Sequence, residues 1–195
     1  MSLILASKSA SRRAMLDAAG VTYTAMPADV DERAIEAELD DVPPPRIALK
    51  LAQAKASAIS PGDPHALVLG SDSLVEVDGQ RFDKPASRED AAQHLRRFSG
   101  KKMHLHSAAS LFQHGAEKWS HAAMATLTVR DLSESFIEQY LEAEWPEVSY
   151  CVGVFRIEAR GVQLFTNIEG DQFTVLGMPL LPVLGALREF GEMRA

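Results

Sequence analysis

Apolar positions along the chain follow two rhythms. Unbroken short runs, Leu3-Ile4-Leu5-Ala6 and Ala66-Leu67-Val68-Leu69-Gly70, read as strands buried on both faces. Runs with apolar residues three and four apart read as helices. From the N-terminus, a strand over residues 3–6 leads through the turn Ser7-Lys8-Ser9 into a helix over 12–19, with Ser9 or Ser11 as N-cap and Gly20 as its stop. A second strand over 21–26 precedes an acidic loop over 27–33. Pro43-Pro44-Pro45 then opens a helix that Pro61-Gly62 ends.

Residues 66–70 form the cleanest strand, with Ser71 and Asp72 at its carboxyl end. Asp78-Gly79 between residues 74–77 and 80–82 is a two-residue hairpin signal. Ser87 starts a helix with Glu89 and Asp90 in its first turn, and Ser99-Gly100 closes it. Two long strands, 103–113 and 119–130, join around His114-Gly115. Ser133 caps a helix that reaches Glu144, and Pro146 forbids its continuation. Runs at 153–157, 162–166 and 172–175 look strand-like, and a last helix follows Pro179 to about Phe190. Alternating strands and helices with central hairpins predict an α/β fold with a mixed central sheet and flanking helices. No repeat, low-complexity tract or long linker interrupts it, so residues 1–195 read as a single domain.

Composition narrows the partners. The 195 residues are 46% hydrophobic and 24% charged, ordinary for a globular domain. Cys151 is the only cysteine, which excludes an internal disulfide and multi-cysteine zinc sites. The apolar run at residues 3–6 is too short for a signal peptide core, and no stretch approaches a membrane span, so a cytoplasmic protein with no membrane partner is expected. A net charge of −7 argues against a broad nucleic-acid surface. It leaves room for a small phosphorylated ligand, which needs only local cations and a divalent metal.

Three places carry candidate chemistry. Ser7-Lys8-Ser9-Ala10-Ser11-Arg12-Arg13 brings hydroxyls, cations and a helix N-terminus to one turn, a suitable anion site. Read alone, the same residues also make a capped surface helix with solvated basic side chains. It is not a Gly-rich P-loop. Asp72, after a buried strand, is a carboxylate for metal binding or proton transfer, or simply a turn cap. Asp31-Glu32 are oxygen ligands for a metal, or solvated charges. Lys55 and Lys84 are further cations. The histidines lack ligand spacing, and His104 and His106 merely alternate on a strand.

In this order the motifs resemble the Maf family of nucleotide pyrophosphatases. They are Leu5-Ala6-Ser7-x-Ser9-x-x-Arg12-Arg13, Val30-Asp31-Glu32, Leu51-Ala52-Gln53-x-Lys55-Ala56, Leu69-Gly70-Ser71-Asp72, Asp83-Lys84-Pro85, Ser99-Gly100, Gly153-Val154-Phe155-x-x-Glu158 and Val175-Leu176-Gly177-Met178-Pro179-Leu180. The resemblance implies a Maf/ITPase-like fold of two lobes around an elongated cleft, and hydrolysis of a nucleoside triphosphate to monophosphate and diphosphate with Mg²⁺ or Mn²⁺. It implies Asp72 as proton acceptor and Ser7, Ser9, Arg12, Arg13, Lys55 and Lys84 as substrate-binding residues. Glu32, with Asp72, falls near the metal. The implied partner is a small-molecule nucleotide, with room for a homodimer.

Departures from the common family pattern bear on the base. Ala10 replaces the usual Pro, Ser11 lengthens the spacing to the arginines, and Ser107 replaces a frequent Thr. The longer spacing resembles the subgroup associated with 7-methyl-GTP. Glu158 stands where the dTTP- and UTP-hydrolysing subgroup has Gln. A carboxylate offers only acceptors, which suit the N1–H and amino donors of guanine and a positively charged methylated ring. Ser73 stands where the 7-methyl-GTP subgroup often has Gln. Arg12, Ser73 and Glu158 are therefore the expected specificity positions, with 7-methyl-GTP or another modified nucleotide as substrate. The alternatives are dTTP and UTP, or a non-catalytic nucleotide-binding regulator of septum formation.

Overall fold

The structure is a computed structural model that describes residues 2–39, 42–62 and 65–194. Strand β1 (Leu3–Leu5) is buried at every position, as the unbroken apolar run requires. Helix α1 (Ala10–Ala18) is capped by Ser9, whose hydroxyl accepts from Arg12 N–H, and the chain leaves it through Gly20 at φ +69°. Strand β2 (Thr24–Ala25) is shorter than residues 21–26 suggested. Part of the expected acidic loop is instead helix α2 (Glu32–Ala37), because Asp31 caps it by accepting from Ala34 N–H. Helix α3 (Pro44–Ile59) opens on prolines and buries Ile47, Ala48, Leu51, Ala52 and Ala56.

Strand β3 (Leu67–Val77) runs unbroken through Ser71 and Asp72, so Asp72 lies within a strand rather than at its carboxyl end. The Asp78-Gly79 hairpin joins β3 to β4 (Gln80–Phe82), both turn residues having positive φ. Helix α4 (Arg88–Phe98) is capped by Ser87, with Glu89 and Asp90 first and Arg96 and Arg97 last. Strands β5 (Lys102–Gln113) and β6 (Ala116–Val129) follow, then helix α5 (Glu134–Glu144), capped by Ser133.

The last third departs most from the expectation. Residues 153–157 form no strand, because Gly153 and Val154 both take positive φ. Residues 162–166 split into a 3-10 turn (Arg160–Leu164) and strand β7 (Phe165–Glu169). Residues 172–175 are helix α6 (Gln172–Val175). Met178 N–H returns to Phe173 O and Gly177 N–H to Thr174 O, with Gly177 at φ +104°. That Schellman closure overrides the β-propensity of Phe173-Thr174-Val175. Helix α7 (Leu180–Glu189) ends the fold.

The sheet order is β2-β1-β3-β5-β6-β7, with β4 on β3. Parallel β1–β2 and β1–β3 pairs coexist with antiparallel β3–β4 and β6–β7 pairs, so the sheet is mixed. The chain divides into two compact units. One comprises Met1–Ser73, His106–Ala123 and Gln172–Ala195, the other Leu74–Leu105 and Met124–Asp171. In the first unit, Leu3, Leu5, Leu67 and Leu69 pack with α1 and α7 residues such as Leu16, Val183 and Leu187. The opposite-pointing Ile4 and Val68 pack with Ala56 of α3. Among the described residues no helix is long and apolar enough to cross a membrane.

Candidate active site

Side chains on β3 alternate between two faces. Val68, Gly70 and Asp72 turn toward α3, while Leu69, Ser71 and Ser73 turn toward the segment around Gly177 and Met178. Gly70 is what lets α3 lie so close. A Cβ there would overlap the Ala52 carbonyl oxygen and stand 2.7 Å from Ala56 N. At that approach Lys55 of α3 meets Asp72, Nζ to Oδ1 at 2.5 Å, and also Glu32 Oε1 at 2.9 Å. Asp72 is buried, and its side chain is 9% exposed against 12% for Lys55 and 48% for Glu32. One ammonium thus holds two carboxylates at the edge of a desolvated place. Gln53 fixes the same helix from another side by donating to Glu117, which also accepts from Ser110.

The neighbouring carboxylates Asp31 and Glu32 part company. Asp31 is committed to the α2 cap, and only Glu32 joins Lys55.

Arg12 is buried, in contrast to the solvated reading of its motif. Its Nε donates to Gly177 O at 2.9 Å, Nη1 to Ser7 Oγ at 3.3 Å and Nη2 to Ser73 Oγ at 3.1 Å. Ser73 Oγ also donates to Gly177 O, and its hydroxyl meets Ser107 Oγ, which donates to Thr174 O. Burial pushes the Arg12 guanidinium down from its ordinary pKa, opposed by attraction to Asp72 and Glu32. Two features favour glycine at position 177. Its φ is +104°, and a Cβ would reach 3.2 Å from Ser73 Oγ. A lysine ammonium cannot serve these divergent acceptors at once. Arg12→Lys is expected to lose about 2 kcal/mol and to lower the thermal midpoint by about 4–8 °C, measured by thermal denaturation.

The remaining candidates are separate. Arg13, one residue further round α1, is exposed and lines a surface groove with Asp17, Thr22 and Tyr23. Ser9 is occupied as the α1 cap, and its N–H donates to Ser7 Oγ. Lys84 and Glu158 belong to the second unit and are both exposed. Both act on Cys151 there. Burial first, then Glu158, push its thiol up to about 11, with Lys84 pulling the other way. This favours the protonated thiol of Cys151 at neutral pH.

Among the described residues no three carboxylate, imidazole or thiol groups converge as a metal-ligand set. Glu32 and Asp72 do converge on a single cationic group, the Lys55 ammonium. Two oxygen-bearing carboxylates on one cation fit a Mg²⁺-type ion, which takes one or two carboxylates and completes its shell with water and substrate phosphate.

A family model described as Maf-like protein matches residues 2–190. The chain belongs to the Maf family. Proteins named 7-methyl-GTP pyrophosphatase from Rhizobium etli and Mesorhizobium japonicum are 46% and 47% identical to it, each alignment covering 98% of this chain and 97% of the relative. A protein named nucleoside triphosphate pyrophosphatase from Nitrobacter hamburgensis is 43% identical, over 97% of this chain and 94% of its own length. In this Maf chain the motif residues Ser7, Arg12, Ser73 and Gly177 form one hydrogen-bonded group, and Glu32, Lys55 and Asp72 another. Sequence reasoning missed the Ser107–Thr174 link and the grip of α5 residues on the segment before Glu158. Neither has a local signal, since each joins residues through the fold.

Proposed function

We propose that this protein hydrolyses a nucleoside triphosphate to its monophosphate and diphosphate, with 7-methyl-GTP or another modified nucleotide as substrate. The observation that carries the reading is the buried Asp72 carboxylate held beside Lys55 and Glu32, in a chain whose relatives bear pyrophosphatase names. Asp72 takes the proton of the attacking water as its oxygen bonds to the α-phosphorus. The bond from the α-phosphorus to the bridging oxygen breaks, and that oxygen leaves with diphosphate. Lys55 and Lys84 offset the charge of the triphosphate, as such reactions depend mainly on positioning and electrostatics. Arg12 orders Ser7, Ser73 and the Gly177 turn beneath the phosphates, while Ser9 presents the N-terminus of α1. Arg13 adds long-range attraction for the anion.

Maf-family pyrophosphatases are generally metal-dependent, and Glu32 and Asp72 are the residues that would hold Mg²⁺ or Mn²⁺ here. When bound, such an ion supplies Lewis-acid stabilisation of phosphate charge. Glu158 selects the base. Its acceptor oxygens suit guanine donors and the positive charge of the 7-methylated ring.

Diphosphate release from 7-methyl-GTP, dTTP and UTP tests this directly. The wild type is expected to favour 7-methyl-GTP in kcat/KM by about tenfold or more, and Glu158→Gln to narrow the gap. If the folded protein, supplied with Mg²⁺ or Mn²⁺, releases no diphosphate from any triphosphate, the reaction assignment fails.

A further inference from the structure

The second unit carries a strained segment immediately before Glu158. Val154 is fully buried yet stands at φ +57°, a left-handed conformation that costs a β-branched residue energy. Gly153 before it is at φ +82°, and a Cβ there would come within 3.0 Å of the Phe155 ring. Such a conformation persists only where its surroundings over-determine it. Two residues of α5 do so. Tyr140, itself buried, donates its hydroxyl to Val154 O at 2.9 Å. Glu144, 4% exposed, accepts from Arg156 Nε at 3.2 Å and Nη2 at 2.9 Å. Four residues apart, Tyr140 and Glu144 share one face of the helix.

Arg156 also starts the turn that carries Glu158. Ala159 N–H donates to Arg156 O at 3.1 Å, leaving Ile157 and Glu158 as the two central residues. Gly161 closes on the same residue, since a Cβ there would lie 2.6 Å from Arg156 N. Arg156 is therefore held by its side chain and its carbonyl, with the backbone of Gly161 packed closely against it. The exposed Glu158 takes its place from that anchor.

We propose that Glu144 and Tyr140 are positioning residues for substrate choice: by fixing Arg156 and Val154 they aim the turn that presents Glu158 to the base. The inference rests on the base-reading role of Glu158 given above. It assigns to buried α5 residues an effect on selectivity that burial alone would not produce.

The test measures kcat and KM for 7-methyl-GTP and dTTP with the full-length chain, its fold checked by near-UV circular dichroism. Glu144→Gln and Tyr140→Phe are each expected to lower the 7-methyl-GTP to dTTP preference about tenfold, mainly through KM for 7-methyl-GTP. Adding Glu144→Gln to Glu158→Gln is expected to change the ratio little further, because both act through one carboxylate. A lower thermal midpoint with an unchanged ratio in both α5 variants, while Glu158→Gln shifts it, overturns this proposal alone. An unchanged ratio in Glu158→Gln overturns the base-reading role and this proposal with it. If Glu144→Gln does not fold, Tyr140→Phe, which keeps the ring and removes only the hydroxyl, decides the matter.

Discussion

Asp72→Asn is expected to lower kcat by about 10²–10⁴-fold, the range that a positioned general base contributes, while the protein stays folded. The amide keeps the shape of the side chain and still accepts from Lys55, but it cannot take a proton from water. Lys55 retains Glu32 as a charged partner at 2.9 Å, so the partly buried ammonium is not left alone. The Lys55 hydrogen bond survives with a neutral acceptor in place of a charged one, so the loss in stability is about 1 kcal/mol, read from a urea denaturation curve. Nucleotide affinity measured without divalent metal is expected to hold or improve, because a negative charge facing the phosphates has been removed. Substantial turnover by the folded variant would mean that another group accepts the proton.

The same residue shows what the sequence did and did not make legible. The ordered motifs singled it out, but its setting was not readable. A polar run after Leu67-Val68-Leu69 reads as the end of a strand. In the fold it continues as strand because each face of Ser71-Asp72-Ser73 meets a partner remote in sequence, Lys55 on one side and Gly177 on the other. The setting of Arg12 was hidden in a related way. One reading of its motif has solvated basic side chains on a surface helix, yet at least three of its five N–H donors go to protein acceptors.

Elements fixed by local chemistry were legible. The β1–α1 turn has its serine cap, and the β3–β4 hairpin has Asp78-Gly79 in the left-handed region it requires. The failures lie where a glycine-permitted closure or a remote partner defeats local propensity. Gln172–Val175 is rich in β-formers but becomes a helical turn because Gly177 permits a Schellman closure onto Phe173. Residues 153–157 look strand-like but bend at Gly153 and Val154, where the Tyr140 hydroxyl donates to Val154 O. Tyr140 and Val154 are 14 residues apart, so no short window holds both, whereas the Schellman closure is local and its glycine signal was outweighed by the β-formers before it.

Gly70→Ala is expected to give the largest loss of stability of any single-methyl change at the site. Overpacking usually costs about 1–3 kcal/mol because side chains can move aside. Here the added carbon meets the Ala52 carbonyl and the Ala56 amide, both backbone groups of α3 that cannot rotate away. A loss above about 3 kcal/mol and a thermal midpoint lower by about 6–12 °C are therefore expected. The helix is the part that must yield, and it carries Lys55, so a shift of about 1 Å costs activity on the order of 10²-fold even in the folded fraction. Gly185→Ala supplies the contrast. It lies within α7 with nothing within 4 Å of its added methyl, and is expected to stabilise by about 0.5–1 kcal/mol. A Gly70→Ala protein as stable and as active as wild type would show that α3 need not touch β3 this closely, and that Lys55 meets Asp72 by some route other than the missing side chain at position 70.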